Sequence, residues 1–376
     1  MVKRRRRRNI FFILILCIGG AVAGILIKQS FWNAKSAQEK LDIIFNKTVD
    51  HKKVFDMTVL IESEGGKFSY RNSTGNMDEN SPFAIASITK MFTAAVIFNL
   101  ADSRQLSLDD PIDRFFGSGE IEHLHMYKGH DYTHAITVGQ LLSQTSGLPD
   151  YYTETIGKEK SYEEEIAEND AGLAFTEILE RSKKLEAHFI NGSEGKAYYS
   201  DLNFDLLGRI AEQASGATLE NLYDKYIIKP MSLKSTHLSR LDSTFTPVYM
   251  GEEKAFRPLY LTSARASGGM ISTAPELMKF LKAFFNGELF AKSNIASVEW
   301  NKIQFFPLEY GKGMMRVKMP RIMSPFMPAP EIIGHSGSSG SFAFYCPSKQ
   351  VYIVGTLNQT EKNPFQTIYM MLNCVD

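Results

Sequence analysis

Ser87-Ile88-Thr89-Lys90 places a hydroxyl and an amine three positions apart, ahead of the apolar run Met91-Phe92-Thr93-Ala94-Ala95-Val96-Ile97-Phe98. If a helix begins here, the two side chains share a face. A serine hydroxyl is a weak nucleophile until a neighbouring base takes its proton. A lysine can be that base only in its neutral form, which burial against apolar walls favours. The first turn of a helix adds free backbone N–H groups that stabilise a developing oxyanion. The chemistry implied is acyl transfer through a covalent serine intermediate. The tetrapeptide alone is a weak signal. Ser193-Glu194-Gly195-Lys196 fits it equally well, but lies in a glycine-rich turn with no helix after it. The bland alternative makes Ser87 a helix cap and Lys90 a surface side chain.

Further segments follow in an order that adds weight. They are Ile136-Thr137-Val138-Gly139-Gln140-Leu141-Leu142-Ser143-Gln144-Thr145-Ser146-Gly147-Leu148, Tyr198-Tyr199-Ser200-Asp201, Ile228-Lys229-Pro230-Met231, Ser267-Gly268-Gly269-Met270 and Gly334-His335-Ser336-Gly337. With them, residues from about 40 to 376 resemble the penicillin-recognising serine hydrolases, in the branch of class C β-lactamases, DD-carboxypeptidases and related esterases. The resemblance implies Ser87 as nucleophile, Lys90 as its base partner and Tyr199 as a second proton-handling group. It implies an oxyanion hole built from the backbone N–H groups of Ser87 and Ser338. Asp201, His335, Ser336 and Gly337 fall where the family contacts substrate, and the family needs no cofactor or metal. On residues alone, Tyr199 is equally a core aromatic, His335 a satisfied strand-end histidine and Asp201 a helix N-cap.

Two positions depart from the family pattern. Asp201 stands where an asparagine is usual, so an amide donor becomes a carboxylate. His335 stands where a lysine is usual, so a fixed cation becomes a titratable group. The family uses that edge to hold a substrate carboxylate, and this chain is expected to hold one less well. The resemblance implies hydrolysis of a cell-envelope D-alanyl ester or a small ester or amide. A DD-carboxypeptidase or β-lactamase acting on peptidoglycan peptides or penicillins is one alternative. A weakly catalytic or non-catalytic envelope-binding module is the other.

The elements that must position these residues are legible in outline. Phe55 to Ser63 and Lys67 to Gly75 read as a hairpin around Glu64-Gly65-Gly66. Helical patterns dominate from Ser87 to about Ser239. Two β-rich runs return at Ser341 to Tyr345 and Val351 to Gly355, and Asn363-Pro364 starts a terminal helix. The expected class is α+β: an antiparallel sheet flanked by N- and C-terminal helices, with a large inserted helical lobe and the cleft between them. The acidic run Glu163-Glu164-Glu165 reads as a solvated helix face.

The chain has 376 residues, 44% hydrophobic and 22% charged, with 42 basic and 42 acidic side chains. That supports a globular enzyme with a large core and gives no overall charge for nucleic acid. The charge is concentrated at one end. Six basic residues, Lys3 to Arg8, precede the uncharged stretch Ile10 to Ile27. Residues 1–9 are expected in the cytoplasm, 10–27 as a single membrane anchor, 28–37 as a tether and 38–376 as the extracytoplasmic hydrolase domain. Cleavage near Ala23, giving a secreted protein, is the alternative. Of three cysteines, Cys17 lies in the apolar stretch, and whether Cys346 and Cys374 pair is open.

Two other groupings compete for a role. His123, His125, His130 and His134 have spacings that could bind zinc, but no Glu-x-x-His helix accompanies them and a polar loop is the expected reading. Met314, Met315, Met319, Met323 and Met327, interleaved with Phe305, Phe306 and Phe326, read as hairpin packing with a possible role at a lipid- or substrate-facing rim.

Overall fold

The computed structural model describes residues 34–323 and 328–375. The basic segment, the apolar stretch and most of the tether lie outside them, so the anchor expected at 10–27 is not among the described residues. The architecture is the expected α+β arrangement. Eight strands form one sheet, every neighbouring pair antiparallel. They are β1 (Met57–Ser63), β2 (Ser69–Thr74), β3 (Asn301–Lys302), β4 (Leu308–Gly311), β5 (Met314–Val317), β6 (Ile332–Ser336), β7 (Ser341–Cys346) and β8 (Val351–Thr356). Their spatial order is β3-β4-β5-β6-β7-β8-β1-β2. The central strand β8 is buried along its whole length, which its Val-Tyr-Ile-Val-Gly-Thr sequence suits.

Both faces of the sheet are covered. On one, α1 (Ala37–Thr48) and the terminal helix α6 (Phe365–Leu372) bury Leu41, Phe45, Ile368 and Leu372 against Val59, Ile61 and Ile353. Ser36 opens α1 with a capping box, its hydroxyl accepting from Glu39 N–H while the Glu39 carboxylate accepts from Ser36 N–H. Asn363 does the same service for α6 by accepting from Phe365 N–H at 2.9 Å.

The other face carries α2 (Thr89–Asp102) and α5 (Ala274–Asn286), whose Phe92 and Phe280 rings stack. Eleven of the 14 residues of α2 are buried, as befits a helix apolar all round. Helix α3 (Val138–Leu142) and helix α4 (Asp201–Ser215) complete the wall around α2. The inserted lobe is less purely helical than its sequence suggests. Met126–Tyr127 and His130–Asp131 pair around Lys128-Gly129, and Phe83–Ala84, Met270–Ser272 and His237–Leu238 form a short three-stranded sheet. The first is a local hairpin, whereas the three-stranded sheet takes its hydrogen bonds from distant segments, a pairing that local periodicity does not carry.

Candidate active site

Ser87 lies on a tight turn. Ala86 adopts φ 46°, the left-handed region, and a 3-10 turn over Ala86–Ile88 leads into α2. Such strain in a residue with a Cβ persists only where its surroundings fix it. Here they do, because Ser339 Oγ donates to Ala84 C=O at 2.7 Å and Ser341 Oγ to Ile85 C=O at 2.8 Å. Gly337 makes that close approach feasible. A Cβ there would sit 2.5 Å from Ile85 O and 2.9 Å from Ala86 Cβ. The end of β6 is thereby held against the Ser87 turn, and Ser336, Gly337 and Ser338 line one cleft together with Ser87, Tyr199 and Asp201. The bonds that fix this loop run from Gly337 N–H to Ser341 O and from Gly340 N–H to Gly337 O, leaving the Ser338 amide outside that local network.

Lys90, the second residue of α2 and one turn after Ser87, is completely buried. Its Nζ lies 3.0 Å from Ser87 Oγ, 2.7 Å from Ser267 O and 2.7 Å from Asp201 Oδ1. The Tyr199 and Phe204 rings flank it, with centroids 5.1 and 5.7 Å from Nζ. A neutral amine has two N–H donors and one lone pair. As placed, Nζ donates to Ser87 Oγ and Ser267 O, and its Asp201 contact is an ion pair without a well-formed hydrogen bond, so a lone pair reaches the Ser87 hydroxyl only once Nζ has given up a proton.

Tyr199 sits just before α4. Gln304, on the β3–β4 connection, clamps its backbone: Tyr199 N–H donates to Gln304 Oε1 and Gln304 Nε2 to Tyr199 O, both at 2.8 Å. Its hydroxyl is buried without a well-formed hydrogen bond. Burial first, then the Asp201 charge, hold this phenol well above its ordinary range, with the Ser87 side chain acting the other way. The resting group is therefore a neutral phenol with a proton to give.

Asp201 is not the N-cap its sequence position allows. Ser200 occupies that place, and Asp201 turns its carboxylate to Lys90 while its own N–H donates to Asp150 Oδ1 at 2.9 Å. One turn on, Asp205 accepts from Tyr151 OH at 2.9 Å. Asp150 and Asp205 are each pushed up to about 7, by burial first and the Asp201 charge second. The lysine thus sits among three carboxyl groups, two of which hold their protons into the neutral range.

A raised carboxyl keeps a proton that the unfolded chain has released, so its penalty to stability grows as pH rises from about 4 to about 7. Asp205→Asn is therefore expected to gain on the wild type by a few degrees in Tm between pH 5 and pH 8. His335 acts in the opposite sense and cancels in that difference. Thermal scans at the two values check it, and a constant offset would mean that Asp205 carries no charge penalty.

His335 is placed differently from its expected role at the substrate edge. It is fully buried on β6, opposite Ala343, with its ring against Tyr310 and Tyr199. Nδ1 lies 2.7 Å from Ser336 O and Nε2 3.3 Å from Tyr310 Oη. Burial and the Lys90 charge bring it down to about 3, so it is neutral at working pH. It supports the cleft wall rather than offering a cation to substrate. Glu163 is exposed, as expected of a solvated face, and it also borders the cleft, as do Phe305, Leu308 and Met315 from the methionine- and phenylalanine-rich segment. The sequence reading missed Gln144, Asp150, Asp205, Ser267 and Gln304. Of these, Gln144 and Ser267 lie inside segments that resemble the family, though with no role read for them, and Asp205 stands four residues after Asp201 on the same helix face.

Among the described residues no cluster of metal-ligating side chains forms. His123 pairs with Asp131 and His134 with Asp113, and His125 is buried, its basicity lowered chiefly by that burial. Cys346 and Cys374 are both free thiols. Ser193 spends its hydroxyl on Ile190 O in an exposed turn.

The beta-lactamase family model matches residues 46–369. The chain belongs to the beta-lactamase family. The D-alanyl-D-alanine-carboxypeptidase/endopeptidase AmpH of Escherichia coli strain K12 is 26% identical over 71% of this chain and 67% of its own. Penicillin-binding protein 4* of Bacillus subtilis strain 168 is 26% identical over 81% and 67%. Esterase EstB of Burkholderia gladioli is 24% identical over 54% and 52%. Among solved structures, a D-stereospecific amidohydrolase from Streptomyces sp. superposes with a TM-score of 0.71 at 22% identity, covering 88% of this chain and 97% of that one. With carboxypeptidase and esterase relatives in the beta-lactamase family, the protein is a serine hydrolase.

Proposed function

We propose that this is an extracytoplasmic, membrane-associated hydrolase that cleaves a cell-envelope D-alanyl ester, or a similar small ester or amide, through an acyl-enzyme on Ser87. Ser87 Oγ attacks the carbonyl carbon as its proton passes to Lys90 Nζ. The Ser87 and Ser338 N–H groups receive the oxyanion. Tyr199 gives its proton to the departing oxygen or nitrogen, and the carbon–leaving-group bond breaks. Water then attacks the acyl-enzyme, and the same groups return the protons in reverse.

The observation that carries the reading is the Ser87–Lys90 contact of 3.0 Å at the floor of a cleft of about 450 Å³. The substrate preference rests on the walls of that cleft. Glu163 and Glu361 line it, Asp150 holds its proton into the neutral range and Asp201 is paired with Lys90, and Lys362 is the cation among its lining residues. A substrate carboxylate is repelled there, whereas the ammonium of a D-alanyl ester is attracted. Losing one charge-assisted hydrogen bond of about 1.5 to 3 kcal/mol weakens an acid's binding roughly tenfold to a hundredfold. The expected order of kcat/KM is D-alanyl ester above D-Ala-D-Ala peptide and penicillin by about that factor. Glu163→Lys with Glu361→Lys should narrow the gap several-fold at low salt and less at high salt. Faster cleavage of the free-carboxylate peptide or the penicillin by the wild type would instead make this a carboxypeptidase or β-lactamase.

Membrane association rests on Lys3 to Arg8 and the uncharged stretch Ile10 to Ile27. The N-terminus of the mature protein is expected to be intact when sequenced by mass spectrometry. A mature chain beginning at Gly24 would mean secretion.

A further inference from the structure

Beside the catalytic cleft lies a second cavity of about 290 Å³. The two adjoin, with Ala86, Tyr152, Glu163, Tyr260, Gly268, Ser338, Thr360 and Glu361 in the lining of both. Beyond that shared lining the smaller cavity is walled by Ile166, Phe245, Val248, Met250, Ala255 and Leu261. Ile166, Phe245 and Leu261 are themselves buried. The one cation in its wall, Arg257, already donates to Ala167 O at 2.6 Å. We propose that this side cavity is the acyl pocket of the enzyme and takes an apolar acyl chain much larger than the methyl of alanine. The inference rests on the reading of Ser87 as the acylated nucleophile and takes the small-ester form of the proposed function in place of the D-alanyl one.

The direction follows from where the proton donor stands. A leaving group must reach Tyr199 to be protonated, and Tyr199 lines the larger lobe with Phe305, Leu308 and Met315. The smaller lobe contains neither Tyr199 nor Ser87 but does contain Ser338, whose N–H faces the oxyanion in this reading. The substituent on the other side of the carbonyl carbon from the leaving group is the acyl chain, and the smaller lobe is what remains for it. Its volume of about 290 Å³ is room for a chain of several carbons. A D-alanyl methyl would leave most of it empty. Glu163 and Glu361 in the shared lining leave place for an amine near the carbonyl and disfavour an acid there.

The test is a series of p-nitrophenyl esters from acetate to octanoate. Apolar burial sets a ceiling of about fourfold per methylene. The wild type is expected to prefer hexanoate to acetate by tenfold or more in kcat/KM. Ala255→Trp, on an edge hairpin, and Ala167→Phe, on the opposite wall, both fill the pocket. Each should erase that preference while leaving acetate turnover unchanged. Lengthening the alcohol of acetate esters should show no such dependence. A flat acyl series, a series indifferent to both variants, or a preference that Ala255→Trp removes from the alcohol side instead would overturn the proposal. Catalysis and pocket are separated with Ser87→Ala protein titrated with hexanamide and acetamide. Tighter binding of hexanamide, lost in the added Ala255→Trp, upholds the pocket even if the wild type cleaves no ester, in which case only the reading of Ser87 fails. Equal affinity for the two amides overturns the pocket.

Discussion

Ser87→Ala and Lys90→Ala are each expected to abolish labelling by a fluorophosphonate probe and to lower kcat/KM by about a thousandfold or more, while Ser193→Ala changes neither. Ser87 Oγ and Lys90 Nζ are 3.0 Å apart, and the amine has no solvent exposure through which water could replace it. Residues that act as one unit lose most of their effect together, so the double variant should be no slower than either single one. Labelling of Ser87→Ala at the wild-type level would remove Ser87 from the reaction.

Lys90 needs a control that Ser87 does not. Its loss leaves the Asp201 carboxylate, 15% exposed, without the cation 2.7 Å away. Breaking a buried pair from one side destabilises by about 3 to 5 kcal/mol, and an unfolded variant would also be inactive. Lys90→Met with Asp201→Asn removes both charges and keeps the volume. Thermal stability should recover in this double variant and turnover should not. Recovery of turnover would mean that Lys90 serves the fold rather than the proton transfer.

The nucleophile turn, the sheet and the terminal helices were legible because each is written locally. Ser87 and Lys90 are three residues apart, the strands Ser341–Cys346 and Val351–Thr356 are continuous β-forming runs, and Asn363-Pro364 is a helix start. What was not legible depends on chain separation. Ser267 meets Lys90 across 177 positions, and Gln304 clamps Tyr199 across 105. Gln304 has no pattern of its own, and the segment that Ser267 opens gives no sign of its contact with Lys90. His335 shows a different gap. Its place in the family pattern suggested a substrate contact, but a strand residue's side depends on register, and pairing with Ala343 turns the ring into the interior beside Tyr199. Glu163 is exposed as its run of charge suggests, but its place at the cleft was not legible. Three successive glutamates look like solvent-facing charge, yet Ser161 caps this helix and Glu163 borders the cleft while Glu165 pairs with Arg181.

Tyr199→Phe should lower kcat by about a hundredfold to ten-thousandfold on an alkyl ester or amide. The fold has little reason to object. The hydroxyl it loses holds no well-formed hydrogen bond, so no partner is left unsatisfied. The ring keeps its packing against Tyr310, Phe305 and His335 at centroid distances of 5.6, 6.0 and 6.1 Å. Labelling of Ser87 by the fluorophosphonate should persist, because that reagent's leaving group departs as an anion. The same logic gives the decisive comparison. A p-nitrophenyl ester releases a stable phenolate and needs no proton, so the variant should cleave it within about tenfold of the wild type while failing on the alkyl ester. A group that merely shapes the cleft would slow both alike. The pH profile adds a second reading. With its phenol held well above the ordinary range by burial, Tyr199 stays protonated through pH 9, so the loss on replacement should be the same at pH 6 and pH 9. Near wild-type turnover of the alkyl ester would assign leaving-group protonation to Lys90, whose Nζ contacts Ser87 Oγ and lies 5.1 Å from the centre of the same ring.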